Sequence, residues 1–209
     1  MSLDRLTDAD GRFRVLAIDH RDSLRAFIDP TAPDAVPVEH LVEIKRDLVR
    51  ALSAGATGVM LEPELSIPRV LDVLAPGVGF IAALEAQGYL ADPGAEPTRL
   101  YWSVTEAAAT GAEAVKLLLP YHPDHELAAA QRTVAARVVD ECRVVGIPLV
   151  LEPLFFGLSD PTERAAVVVR TVEHFADIGA DLLKLPFPVD PAIVTDRDEQ
   201  GAACRRITD

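Results

Sequence analysis

Cysteine is scarce in this sequence: Cys142 and Cys204 are the only two in 209 residues. That excludes a disulfide-stapled scaffold, gives no paired thiolate spacing for zinc, and fits a reducing cytoplasm, where we expect the protein. No uninterrupted apolar run is long enough to span a bilayer, and the opening "MSLDRLTDAD" is acidic where a signal peptide needs a basic region. Neither a membrane span nor a secretory leader is expected. Basic residues are outnumbered, 20 Lys and Arg against 33 Asp and Glu, and the net charge of −13 argues against a nucleic-acid backbone as partner. No G-x-G-x-x-G or P-loop follows any apolar segment, and no H-x-H or H-x-x-x-H pair is present. We therefore expect no nucleotide, metal or other cofactor.

What the chain does have is apolar content, 49% of its residues, arranged in short blocks. "RVLAID" (14–19), "GVMLEP" (58–63), "GFIAALE" (79–85), "AVKLLLPY" (114–121), "IPLVLEP" (147–153) and "DLLKLPFP" (181–188) are mostly unalternated. Strands of a parallel sheet covered on both faces read this way. Between them lie helical spacings such as Leu41, Ile44, Leu48, Leu52 and Leu127, Val134, Val138, Val139. Gly55, Gly58, Gly111, Gly146 and Gly179 fit helix stops. Strand and helix in alternation imply right-handed βαβ units, and without a nucleotide fingerprint the barrel is favoured over the doubly wound sheet. A closed barrel of eight units takes about 250 residues, whereas six strands are visible here and residues 189–209 hold no strand-like run. The fold expected is thus α/β, of the (β/α)8 TIM-barrel type but incomplete, one partial barrel over residues 1–209 with about six βα units.

Asp19, Glu62, Glu85, Lys116, Glu152 and Lys184 all fall at or near the C-terminal ends of different expected strands, where a parallel barrel builds its active site. Strand alternation puts Lys116 on the face of Ala114 and Leu118, Glu152 on that of Val150, and Lys184 on that of Leu182. If those faces point inward, two lysines and a glutamate meet in the mouth. Burial and a neighbouring ammonium both favour a neutral amine, which can attack a carbonyl and form a Schiff base. The second lysine would polarise a substrate oxygen and Glu152 would move protons, while Asp19 bonds a hydroxyl or orients a lysine. A plain buried ion pair between Lys184 and Glu152 competes with this reading. Glu62 reads as a cap on the turn after Pro63, Glu85 as a solvated strand end, and His122 and His125 as solvated loop residues. A carboxylate metal site drawing on His20, Asp19, Glu62, Glu85 and Glu152 ranks lowest.

"RVLAIDHRDSLRAF" (14–27), "GVMLEPELS" (58–66), "AVKLLLPYHPD" (114–124), "VLEPLFF" (150–156) and "GADLLKLPFP" (179–188) resemble, in order and spacing, the class I tagatose-bisphosphate aldolase family. That family belongs to the deoxyribose-phosphate aldolase-like barrels, and sulfofructose-phosphate aldolases are similar to it. The resemblance implies a metal-independent aldolase that cleaves a phosphorylated ketose to dihydroxyacetone phosphate and an aldehyde. It puts the Schiff base on Lys184, acid/base work on Glu152, and supporting roles on Lys116 and Asp19. Arg21 is carried along as a contact to an anionic group, and Glu62 as a second substrate contact. Family members continue for two further βα units, and relatives often carry a valine and an acidic residue where this chain has Leu185 and Pro186. The alternative is a shortened, non-catalytic barrel that binds a sugar phosphate, or a partner chain along an exposed sheet edge, homo-oligomers included.

Overall fold

The computed structural model describes residues 2–87 and 92–208. Its strands are β1 (Val15–Ala17), β2 (Gly58–Leu61), β3 (Gly79–Ala83), β4 (Ala114–Pro120), β5 (Leu149–Leu154) and β6 (Leu182–Leu183). They form one all-parallel sheet of six strands in sequence order, as the six apolar blocks required. The helices are α1 (Asp22–Ile28), α2 (Val38–Leu52), α3 (Val104–Ala109), α4 (Ala128–Val145), α5 (Arg164–Phe175) and α6 (Arg197–Thr208). The sheet curls into a half-barrel, an incomplete (β/α) TIM-barrel fold.

Alternation along the strands separates two cores. Val59, Leu61, Phe80, Ala82, Val115, Leu117, Leu119, Leu149 and Leu151 point outward and pack with Val49 of α2, Val104 and Ala107 of α3, Val138 and Cys142 of α4, and Phe175 of α5. Met60, Ile81, Ala114 and Val150 point inward and are plugged at the N-terminal end by Leu6. Gly58 and Gly79, opposite one another in the β2–β3 register, make room for that plug: a Cβ on Gly58 would lie 2.7 Å from Leu6 Cδ2. Gly58 therefore opens β2, and the helix stop ahead of it falls earlier, at Ser53–Gly55. Gly146 does stop α4, with φ +82° and its N–H on the Cys142 carbonyl.

Two helical readings change. The buried stripe of α2 is Leu41, Val42, Lys45 and Val49, whereas Leu48 and Leu52 are exposed. The helix is turned so that a lysine occupies the apolar face. α6 had no periodic apolar signal because Ala203 is its one buried residue.

Candidate active site at the C-terminal ends of the strands

Inward alternation carries past the strand ends into a charged layer. Val15 and Ala17 line the interior, so Asp19 follows on the same side; Ala114 leads to Lys116, Val150 to Glu152 and Leu182 to Lys184. Register sets their depth. Ala83 pairs with Lys116, Leu118 with Glu152, and Val150 with Leu182. Lys116 thus lies one layer deeper than Glu152 and Lys184.

The deeper lysine is enclosed. Lys116 Nζ lies 2.8 Å from Asp19 Oδ2, 2.7 Å from Glu85 Oε1 and 3.3 Å from Glu152 Oε2, and its side chain is 1% exposed. Burial alone would push the ammonium toward neutrality, but Glu85, Asp19 and Glu152 together outweigh it and hold the group well above the ordinary lysine value. Lys116 is a fixed cation. Burial likewise tends to raise the Asp19 carboxyl, yet the attraction and hydrogen bond of Lys116 leave it below the usual range.

Lys184 has a different setting. Its Nζ pairs with Glu152 Oε1, so the two oxygens of one carboxylate bridge the two lysines. The Lys184 side chain is 40% exposed, which corrects the expectation that this lysine is the desolvated one. Strand depth explains the exchange: Lys184 follows β6, the last strand of the sheet, whereas Lys116 lies within β4, buried along its whole length.

Four of the expected residues, Asp19, Lys116, Glu152 and Lys184, come together; two do not meet them as expected. Glu62 is fully buried, accepting from Lys45 Nζ (2.7 Å), Ser66 Oγ (2.6 Å) and the Leu65 amide (2.8 Å). Its carboxylate is 0% exposed and turned to partners inside the protein, not to the mouth where a substrate would lie. The turn-cap reading of Glu62 holds, through Leu65. Arg21 is 5% exposed and is held by Glu64 and by the Glu85 carbonyl (3.0 Å), so its guanidinium braces the β3 end instead of presenting to an anion. Glu85 is no solvated strand end: it is 1% exposed and bonds both Lys116 and the Leu118 amide (3.1 Å). The Ile81, Ala83, Glu85 alternation was the signal for it. His122 and His125 are half-buried with their rings edge-on to Phe156, so neither is a solvated loop residue. Among the described residues no group of three His, Cys, Asp or Glu side chains is arranged to hold a metal; Asp19, Glu85 and Glu152 converge on an ammonium instead.

A half-barrel of parallel strands with its ionisable side chains gathered at the carboxyl ends is the architecture of the barrel enzymes. Within that class the chain belongs to the DeoC/LacD aldolase family, which matches residues 13–208. It is 34% identical over 206 residues to tagatose 1,6-diphosphate aldolase 2 of Enterococcus faecalis, covering 90% of this chain and 61% of that one. Against the tagatose 1,6-diphosphate aldolase of Staphylococcus haemolyticus the identity is 27% over 203 residues, with 90% and 62% covered. The chain thus spans about three fifths of the length of these curated relatives. In fold it superposes on the Schiff-base-forming fructose-1,6-bisphosphate aldolase with a TM-score of 0.65 at 20% identity, covering 97% of this chain and 74% of the other.

Proposed function

We propose that this chain carries the reacting groups of a class I aldolase that cleaves a phosphorylated ketose, such as tagatose 1,6-bisphosphate, to dihydroxyacetone phosphate and an aldehyde. The observation that carries the reading is the Glu152 bridge between a buried Lys116, enclosed by three carboxylates, and a half-exposed Lys184. The names of the relatives support the substrate class.

In this reading Lys184 gives a proton to Glu152 and its amine attacks the ketose carbonyl carbon. Glu152 returns the proton to the resulting oxygen and then passes a second one from the nitrogen to the same oxygen, so that water leaves and an iminium remains. Glu152, a carboxylate again, takes the proton from the hydroxyl beyond the scissile bond and keeps it for the enamine carbon; the aldehyde leaves and the bonding electrons flow into the iminium to give an enamine. Protonation of the enamine carbon and hydrolysis return the lysine and dihydroxyacetone phosphate. Lys116, held charged, stabilises negative charge developing on substrate oxygen, and Asp19 and Glu85 keep it in place.

Borohydride reduction of the chain with dihydroxyacetone phosphate tests this. A mass adduct is expected on Lys184 and none in Lys184→Met. Adduct on no lysine, or on another lysine with Lys184→Met unimpaired, overturns the reading; binding of dihydroxyacetone phosphate without adduct points to the non-catalytic sugar-phosphate barrel.

A further inference from the structure

Lys45 is wholly buried and touches no reacting group, yet it sits in the apolar stripe of α2 between Val42 and Val49. Its ammonium has three donors and each meets an acceptor: the Ile18 carbonyl at 2.7 Å, Glu62 Oε1 at 2.7 Å and Ser66 Oγ at 3.3 Å. An apolar residue at this position would serve the core as well, since a buried ion pair is seldom more stable than a well-packed hydrophobic replacement. What an apolar residue cannot do is grip a carbonyl.

The carbonyl concerned belongs to the peptide that joins Ile18 to Asp19. A peptide unit is planar, so fixing the direction of its C=O fixes the plane that contains the Asp19 Cα. The Ile18 amide is already tied to the Met60 carbonyl at 3.0 Å, and with Lys45 on the other side the residue is held at both ends. Asp19 springs from that clamped backbone and places Oδ2 2.8 Å from Lys116. Glu62, which anchors Lys45, follows directly on β2, so one ammonium joins the ends of β1 and β2 beneath the mouth.

We infer that Lys45 is a positioning residue: by holding the Ile18 carbonyl it aims Asp19 at Lys116, and through that pair it sets the rate of Schiff-base formation at Lys184. The rate part rests on the aldolase reading above; the aiming of Asp19 does not. Lys45→Met alone strands the Glu62 carboxylate in the core and lowers stability, so the informative protein is Lys45→Met combined with Glu62→Gln, in which no buried charge is left unpaired. Two measurements are made on it and on the unaltered chain: the carboxyl titration of Asp19 by carbon NMR, and the rate of borohydride-trapped adduct with dihydroxyacetone phosphate across pH. The double variant is expected to be folded, with Asp19 titrating at higher pH, trapping roughly tenfold to a hundredfold slower, and half-saturation by dihydroxyacetone phosphate little changed. Recovery of fold together with an unshifted Asp19 titration would overturn the inference and leave Lys45 a core residue only. If the unaltered chain forms no adduct while Asp19 still shifts in the double variant, the aldolase reading falls and the positioning role stands. An Asp19 shift with an unchanged trapping rate overturns the link to Lys184.

Discussion

Lys116 and Lys184 carry the same functional group and share one carboxylate, but depth divides their work. Lys116 is the buried ammonium that three carboxylates share, so removing its charge takes that shared partner from Asp19, Glu85 and Glu152 and leaves Glu152 with Lys184 and Glu85 with Arg21 at 3.9 Å. Lys116→Met is expected to cost about 3–5 kcal/mol, the range for stranding buried partners, in urea unfolding; a loss below about 1 kcal/mol would mean the carboxylates swing into water. The cluster also fixes how stability responds to pH. The Asp19 carboxyl is held below 3.8, so its contribution is complete above that value and lost as the pH falls through the folded-state one. Lys116 is held above 10.5, so its contribution is complete below that value and lost only as the pH rises past the folded-state one. Across neutrality both are fully present. Asp19→Asn is therefore expected to lower the neutral plateau and make the acid limb shallower, measured by urea unfolding from pH 2 to 7; an acid limb identical to that of the unaltered chain would contradict it. Alternation along β4, β5 and β6 made Lys116, Glu152 and Lys184 legible as one inward set, whereas the exchange of burial between the lysines depends on strand register, which a list of apolar blocks does not contain.

At the scale of elements, what could be read was whatever repeats. Six strands stood out because each is apolar on both faces, and α4 because Val138 and Val139 continue a helical stripe that ends at Gly146. The rotation of α2 was not legible: Ile44, Leu48 and Leu52 make an equally regular stripe, and only tertiary contact with Ile18 and Glu62 selects the face that holds Lys45. α6, polar nearly all round, gave no period. The end of α4 offers a clean test, because Gly146 adopts φ +82° and a Cβ added there would meet nothing within 4 Å. Gly146→Ala should cost about 1–2 kcal/mol through backbone conformation alone, read as a lower urea midpoint at an unchanged slope. Since α4 leads into β5 well before Glu152, adduct formation on Lys184 should be unaffected; a loss of adduct in a folded variant would show that the α4–β5 turn sets the site.

Across the whole molecule, the sheet is firm at its centre and slight at its margins. β4 and β5 stay in register from Val115–Leu149 through Pro120–Leu154, while β5 and β6 share only Val150–Leu182 and Leu151–Leu183. β2 and β4 are buried throughout, whereas β1 and β6 are half-exposed. Among the described residues β1 pairs only with β2 and β6 only with β5, and a cavity of about 310 Å³ lined by Leu6, Val15, Met60, Val150, Leu182 and Lys184 lies between them. Opening free energy follows buried contact and paired backbone, so native-state amide exchange should be slowest in β4 and β5 and fastest in β1 and β6. That ordering puts Lys116 on the most anchored strand and Lys184 just past the end of one of the least. If Lys184 forms an adduct that bonds back to Glu152, exchange in β6 should slow on trapping while β4 hardly changes. Uniform protection from β1 to β6, or slowing confined to β4, would show that the firmness of the sheet does not divide the two lysines in this way.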